Sequence, residues 1–374
     1  MSRIDELNAR LAPNGVRFAS LGQIATYRTG EQLNRTTMSE GAAYPVINGG
    51  IGPSGKHDSF NTEANTITVS QGGASAGYVN FVTERFWAGA HCYIVQPTTL
   101  AAIDTRFLYF VMKNGQSALQ ASKLGAGIPG LSVSGLSSFL VPVPPLEVQH
   151  EIVRILDTFM DLEAELEAEL EARRLQYLFH RDQLLTFPEG DAVAWVTLPE
   201  VAANLDSRRR PVTKAAREGG EFPYYGASGR VDYVRDFIFD GDYLLVSEDG
   251  ANLLTRSMPI AFSISGKTWV NNHAHILEFP SYAERRFVEF YLNSIDLSPY
   301  VSGGAQPKLN QFNLNRIPLP WPAREEQQRI VNILDKFEAL VSDLDIGLPA
   351  ELNARGRQYE YYRDKLLTFK KAAG

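Results

Sequence analysis

The chain carries the same segment twice. Residues 142–159 read PVPPLEVQHEIVRILDTF and residues 320–337 read PWPAREEQQRIVNILDKF. Pro142, Pro144, Gln149, Ile152, Val153, Ile155, Leu156, Asp157 and Phe159 recur as Pro320, Pro322, Gln327, Ile330, Val331, Ile333, Leu334, Asp335 and Phe337, at a constant offset of 178 residues. Farther on, QYLFHRDQLLTF, ending at Phe187, recurs as QYEYYRDKLLTF, ending at Phe369, and the offset has grown to 182. Solenoid repeats have periods of about 20–50 residues, so this is another kind of repetition. A domain and the helix that follows it are duplicated, and the molecule has internal pseudo-twofold symmetry. Two related halves suit a target that itself has two halves.

At 374 residues, with 44% hydrophobic and 21% charged residues, each half has enough apolar sequence for an ordinary core. Cys92 is the single cysteine, which excludes a disulfide framework and a cysteine zinc site. His273 and His275 alternate along an apparent strand, and no metal site is expected. No apolar run approaches the ~20 residues of a membrane span, and the amino terminus does not read as a signal peptide, so a cytoplasmic location is expected. The formal charge of −7 counts against nucleic acid until its distribution is considered. Segment 147–187 carries ten acids against four arginines, and segment 324–369 nine acids against seven bases. The helices hold the acidity, and the rest of the chain stands at +1. A near-neutral domain can read base edges but binds phosphate weakly by itself.

The spacing of Ile4, Leu7 and Leu11 predicts an amino-terminal helix within 1–15. Residues 16–144 mix short apolar runs (TITVS, YVNFV, CYIVQ) with turn glycines and a helical stretch over 105–120. Residues 188–322 repeat that order with YLLVS, PIAFSI, AHILEF and a helix over 285–295. Prolines end each domain and precede long helices over 145–187 and 323–374. In the first helix Ile152, Leu156, Phe159, Leu166, Leu170, Tyr177 and Leu184 keep a four-three spacing, which is a coiled-coil seam. About 41 residues at ~1.5 Å per residue make a rod of roughly 60 Å. The second helix repeats the seam through Ile330, Leu334, Phe337, Val341 and Leu344, and Gly347 and Pro349 predict a break near 347–349. The fold class expected is α+β: two mixed α/β domains joined by two long helices in an intrachain antiparallel coiled coil. The other reading of the helices is that they merely close a core.

Three strings imitate catalytic motifs. GIGPSGKH at 50–57 puts His57 where a phosphate-binding loop needs a hydroxyl, and no good helix follows. GASAG at 73–77 resembles a nucleophile elbow around Ser75, but a strand-like YVNFV follows. GAGIPG at 125–130 follows a helical pattern and contains Pro129, which does not suit a dinucleotide turn. The chain reads as non-catalytic, with no catalytic or metal-ligating residue assigned.

The two copies differ where a recognition surface would. Residues 125–136 (GAGIPGLSVSGL) align with 303–314 (GGAQPKLNQFNL). Gly125, Pro129, Leu131 and Leu136 match Gly303, Pro307, Leu309 and Leu314. Between them Ile128, Gly130, Ser132, Val133 and Gly135 become Gln306, Lys308, Asn310, Gln311 and Asn313. Asn and Gln suit adenine, and Arg or Lys suits guanine. The other reading is drift in exposed loops. In the first domain Asn48 and Lys56, in the turn after Pro45, and Gln71 are the candidate DNA contacts. In the second domain the run 206–217 supplies Arg208, Arg209, Arg210 and Lys214 for phosphates, unless it is an ordinary solvated loop. Tyr225 and Arg230 flank the turn after Pro223.

These segments together resemble the specificity subunit of type I restriction-modification systems. The resemblance is carried by IDELNARLAPNGVRFASLGQIATYRTG at 4–30, the turns YPVINGGIGPSG and FPYYGASG, the segment 303–337 and the closing LLTF segments. It spans nearly the whole chain, and the repeat PxPxxxEQxxIVxxLD is quite specific. The first copy departs from it at Val148, where the second has Glu326. The resemblance implies two target-recognition domains on double-stranded DNA, each reading half of an asymmetric bipartite site, with the helices fixing the spacer. It also implies two docked methyltransferase subunits that bind S-adenosylmethionine themselves, and two ATP- and magnesium-dependent restriction subunits as optional members. This chain would hold no cofactor. Gln149, Glu151, Arg181, Gln327, Gln328 and Arg363 are the expected docking residues on the helices. The alternative is a coiled-coil interaction protein whose two domains bind something other than DNA.

Overall fold

The computed structural model describes residues 3–99, 102–122, 130–188, 193–304, 306–342 and 346–372. They divide into two units, one of residues 1–166 with 352–374 and one of residues 167–351. The first half of the chain runs through helices α1 (Arg3–Leu11), α2 (Thr105–Asn114), α3 (Val133–Ser137) and α4 (Leu146–Leu185). The second half has α5 (Tyr282–Ser294) and α6 (Gln311–Leu314). It continues with α7 (Arg324–Ser342) and α8 (Leu348–Leu366) where the first half has one helix of 40 residues. Pro349 falls in the first turn of α8, where its missing N–H does no harm, so the inserted residues restart a helix. Leu344 of the expected seam lies outside the described residues.

In the first unit β1 (Arg17–Ser20) pairs with a later strand, and β2 (Ala25–Thr29), β3 (Thr66–Ser70), β4 (Val79–Val82) and β5 (Cys92–Pro97) form an antiparallel sheet in the order β2-β5-β3-β4. The partner of β1 is β6 (Leu140–Val143), with Phe18 opposite Pro142. The period-two alternation of β5 divides its side chains between two cores. Tyr93 and Val95 face α2, whereas Cys92 and Ile94 join Ile47, Val82, Phe86 and Ala88. That burial pushes the Cys92 thiol up to about 12, out of the range of a reactive thiolate. The helix expected over 105–120 breaks at Gly115, where a Cβ would stand 2.5 Å from the Phe139 ring.

In the second unit β7 (Ala194–Val196) awaits a partner from the end of the domain. The strands β8 (Ala203–Asn204), β9 (Phe222–Gly226), β10 (Gly229–Val234), β11 (Phe239–Ser247), β12 (Ala261–Val270) and β13 (Ala274–Glu278) make one sheet in the order β8-β13-β11-β12-β9-β10, with β9 and β12 parallel. The partner of β7 is β14 (Leu319–Trp321), with Trp195 opposite Pro320. Leu244, Val246 and Leu277 face α5, and Leu245 and Ile276 face the second core.

Each domain is closed by one helix beginning and one helix end. The first unit takes Val148, Ile152 and Leu156 of α4 with Leu366 of α8 and Leu367 and Phe369 beyond it. The second takes Ile330, Val331 and Leu334 of α7 with Leu184 and Leu185 of α4 and Phe187 beyond it. The same contacts recur by duplication. Phe159 stacks on Tyr362 at 5.5 Å in one unit, and Phe337 meets His180 at 5.6 Å in the other. Phe107–Phe369 and Phe287–Phe187 are both 6.4 Å apart. Arg106–Asp157 and Arg286–Asp335 are both 2.8 Å ion pairs. Within the first unit the pairing is antiparallel, because Glu163 lies beside Gly356 and Phe159 beside Tyr359 and Tyr362. Tyr177 and Tyr359, equivalent in the repeat, have hydroxyls pushed up to about 12 by burial.

The departure at Val148 has a structural reason. Helix α1 covers the start of α4: Leu7 and Leu11 pack on the cluster that contains Val148, and Arg10 pairs with Glu147 at 2.8 Å. Val148 is fully buried, whereas Glu326, its counterpart, is partly exposed and paired with Arg329. Val148→Glu is therefore expected to cost the first unit roughly 2–4 kcal/mol, since a carboxylate would be buried without a partner. Glu326→Val should change stability by less than about 0.5 kcal/mol. Urea unfolding of the two variants checks both values, and equal losses would remove the covering role of α1.

Candidate nucleic-acid interface

In both units one device ties the variable segment to the sheet end. In the first unit the N–H of Leu131 donates to the Gln71 carbonyl at 2.8 Å, and the Tyr93 hydroxyl donates to the Leu131 carbonyl at 3.0 Å. The Gln71 amide donates in turn to Tyr93 Oη at 3.1 Å. In the second unit the N–H of Leu309 donates to the Glu248 carbonyl at 2.8 Å, and His275 Nε2 lies 2.7 Å from the Leu309 carbonyl. Gln71 and Glu248 also receive the same neighbour, their N–H groups bonding the carbonyls of His91 and His273 at 2.9 Å. SQGGAS at 70–75 is thus the counterpart of SEDGAN at 247–252, a repeat that comparison of the two copies could have found.

The neutral pair of the first unit is replaced by a charged cluster in the second. His275 Nδ1 lies 2.5 Å from Asp206 Oδ2, Arg209 donates to Glu248 at 2.7 Å and lies 3.3 Å from Asp206, and Lys308 Nζ stands 3.2 Å from Glu248. Burial alone would raise both carboxyls. The partners together outweigh it, His275 with the Ile276 N–H and Arg209 at Asp206, and Arg209 with His275 and Lys308 at Glu248, so both are held below their ordinary values. Asp206, Glu248 and His275 have ligand atoms within 4.8 Å of one another. They do not fit a metal ion, because Arg209 and Lys308 already neutralise the two carboxylates and both imidazole nitrogens face oxygen acceptors.

The sequence-predicted residues divide between presented and structural side chains. Lys56 is exposed on the strand Lys56–His57, while Asn48 accepts a bond from the His91 N–H at 3.3 Å. Arg208, Arg210, Lys214 and Arg230 are exposed, with Arg208 over the Phe239 ring and Arg230 over Tyr233. Arg209 differs from the expected phosphate contact. Its guanidinium is largely buried and bonded to Glu248 and the Ala274 carbonyl, both at 2.7 Å. Tyr225 is half-buried opposite Arg230 across β9 and β10. Gln306, Lys308 and Gln311 are exposed. Asn310 caps α6 by accepting the Asn313 N–H, as Ser132 caps α3, and the Asn313 amide donates to the Tyr300 carbonyl. The exchange of Ser132 for Asn310 therefore preserves a cap. Ser247 bonds the Ala227 carbonyl, which brings the turn after β9 to the sheet end that holds Glu248 and Lys308. Gly125, Ile128 and Pro129 lie outside the described residues. Phe312, 69% exposed on α6, was missed as a candidate.

On the helices, Gln149 and Gln327 depart from the expected docking face. Both are buried and donate to the Pro144 and Pro322 carbonyls, so they lock the proline turn onto the helix start. Glu151 is nearly buried beside Arg154, and Gln328 is exposed. Arg181 pairs with Asp182 at 2.7 Å and Arg363 with Asp364 at 2.8 Å. Next to them stands an unpredicted feature, Phe179 and its counterpart Tyr361, 60% and 62% exposed. Of the catalytic imitations, Lys56–His57 is a strand and GASAG leads into β4, so neither opens a helix. Most of GAGIPG is outside the described residues.

The family model for the type I restriction modification DNA specificity domain matches residues 13–172 and again 193–354, and the chain belongs to that family. It is 39% identical to a putative type I restriction enzyme specificity subunit of Haemophilus influenzae over 48% of this chain and 47% of that protein. It is 34% identical to the Escherichia coli EcoR124I/EcoR124II specificity subunit over 64% of this chain and 65% of that one. The chain thus spans about half to two thirds of these relatives. The crystal structure of a type I restriction-modification S subunit from Mycoplasma genitalium shares its fold, with a TM-score of 0.67, 21% identity, and 94% and 96% of the two chains covered.

Proposed function

We propose that this chain is the DNA specificity subunit of a type I restriction-modification complex. The carrying observation is that one family domain occurs twice on one scaffold while the segments at the two sheet ends differ. Each domain reads one half of an asymmetric bipartite site on double-stranded DNA. In the second domain Gln306, Lys308 and Gln311 face the bases, with Arg208, Arg210, Lys214 and Arg230 on phosphates. Lys56 and the turn around Asn48 serve the first domain, and Tyr225 supports the second. Asn310 and Asn313 shape the reading segment. The chain is a non-catalytic, cytoplasmic subunit without a cofactor of its own, and no helix among the described residues is long and apolar enough to cross a membrane.

Two methyltransferase subunits dock on the helices and bring S-adenosylmethionine, and restriction subunits add ATP-driven cleavage. The duplicated Phe179 and Tyr361, each beside an Arg–Asp pair, support two equivalent docking points. Glu151 and Gln328 lie near the helix starts. Long-read methylation mapping of the host with and without this gene tests the reading. One bipartite adenine-methylated motif should vanish on deletion. An unchanged methylation pattern, in a host shown to express the complex, would count against it.

A further inference from the structure

We infer that Glu248 positions Lys308 to read a base edge rich in acceptors, guanine O6 and N7 in the major groove, and that Lys308 is not a phosphate contact. This deepens the DNA-reading function proposed above and rests on it. Lys308 is held at both ends. Its N–H donates to the Ser302 carbonyl at 2.7 Å, and its carbonyl accepts from the Ser302 N–H at 2.8 Å. Gly303, at φ +84°, makes that closed turn possible, since a Cβ there would meet the Gln306 carbonyl at 2.5 Å. The ammonium lies 3.2 Å from Glu248, while the side chain remains 52% exposed. One of its three donors is thereby engaged, which leaves two for a ligand.

A lysine used for phosphate works as a mobile positive charge. Here the charge is compensated. Asp206 and Glu248 oppose Arg209 and Lys308, and Arg209 is turned inward. A compensated, tethered ammonium attracts phosphate weakly, yet its remaining donors keep a direction. Guanine is the base whose major-groove edge offers two acceptors and no donor. The first unit has neither member of the pair. Gln71 makes the same backbone bond there, but Gly130 stands at the position of Lys308 and nothing is tethered. Glu248 is therefore a positioning residue, and its equivalence to Gln71 makes Glu248→Gln a substitution the fold already accepts in its other copy.

The test uses the full chain in its methyltransferase complex, on a DNA library randomised over both half-sites, together with the salt dependence of binding to the preferred site. Glu248→Gln and Lys308→Met are each expected to relax the preference at one and the same base pair of the second half-site by roughly tenfold. The first half-site and the salt slope should stay unchanged. Lys308→Met leaves Glu248 paired with Arg209, so it reports even where Glu248→Gln is poorly folded, and thermal melting separates those cases. The inference is overturned if Lys308→Met weakens all sequences alike and lowers the salt slope by about one, the mark of a phosphate contact. It is overturned equally if Lys308→Met relaxes one base pair and a folded Glu248→Gln leaves that preference intact. A wild-type complex without sequence preference would instead remove the specificity-subunit reading, and this inference with it, before any variant is compared.

Discussion

Arg286→Ala is expected to lower the unfolding temperature of the second unit by roughly 10 °C, more than any other single alanine replacement at a repeated ion pair. Arg286 is largely buried between α5 and α7. It bonds Asp335 at 2.8 Å and Glu289 at 2.5 Å, it bonds Glu338 as well, and its guanidinium lies 4.3 Å above the Phe290 ring. Burial alone would lower its proton affinity, but the charges of Glu289 and Glu338 outweigh that and hold it higher still. Removing it leaves three carboxylates facing one another without a cation, a loss of about 3–5 kcal/mol. At about 2–4 °C per kcal/mol for a unit of this size, that is the shift stated. Arg106, the equivalent in the first unit, has one carboxylate partner, Asp157, and lies over the rings of Phe81, Tyr109 and Phe110. Arg106→Ala should cost less than half as much. Calorimetry of the two variants decides it, and equal shifts would show that the extra acids of α5 and α7 are solvated.

The second large effect concerns assembly. On the docking proposed above, Phe179→Glu and Tyr361→Glu should each halve the number of methyltransferase subunits retained, and the double variant should retain none. Both aromatics are exposed at the same repeat position, and each meets its neighbour, His180 or Tyr362, edge-on at 5.5 and 5.3 Å. An exposed aromatic contributes nothing to its own core, so stability should hold while docking falls. A buried aromatic anchor at an interface is worth at least ~2 kcal/mol, about a thirtyfold loss in affinity. Sedimentation of chain and methyltransferase at micromolar concentration reads the stoichiometry directly. Two subunits still bound by each single variant would move the docking points elsewhere on the helices.

The duplication, the family and the helical class of 145–187 were legible because they rest on local patterns: constant offset, proline stops and four-three spacing. Pro349 was expected at a break and lies in the first turn of α8, which begins at Leu348. The site was legible only in outline. The exchange at 303–314 picked out Lys308, Gln306 and Gln311, which are exposed, but also Asn310 and Asn313, which serve as a cap and a loop bond. Arg209, Gln149 and Gln327 were chosen for their polarity, but the glutamines are buried and Arg209 largely so, because a one-dimensional pattern does not say which polar side chain faces a carboxylate or a carbonyl across the fold.

The sequence by itself determined that two similar domains exist, each followed by a helix, and where the two copies differ. Such information is stored in spacing along the chain. The tertiary structure alone decided that Asp206, Arg209, Glu248, His275 and Lys308 form one cluster, although up to 102 residues separate them. It decided too that α1 packs on the cluster holding Val148, and that each domain takes one helix beginning and one helix end. These contacts join segments distant in the chain, and only the burial of both segments in a common core brings their charges within bonding distance.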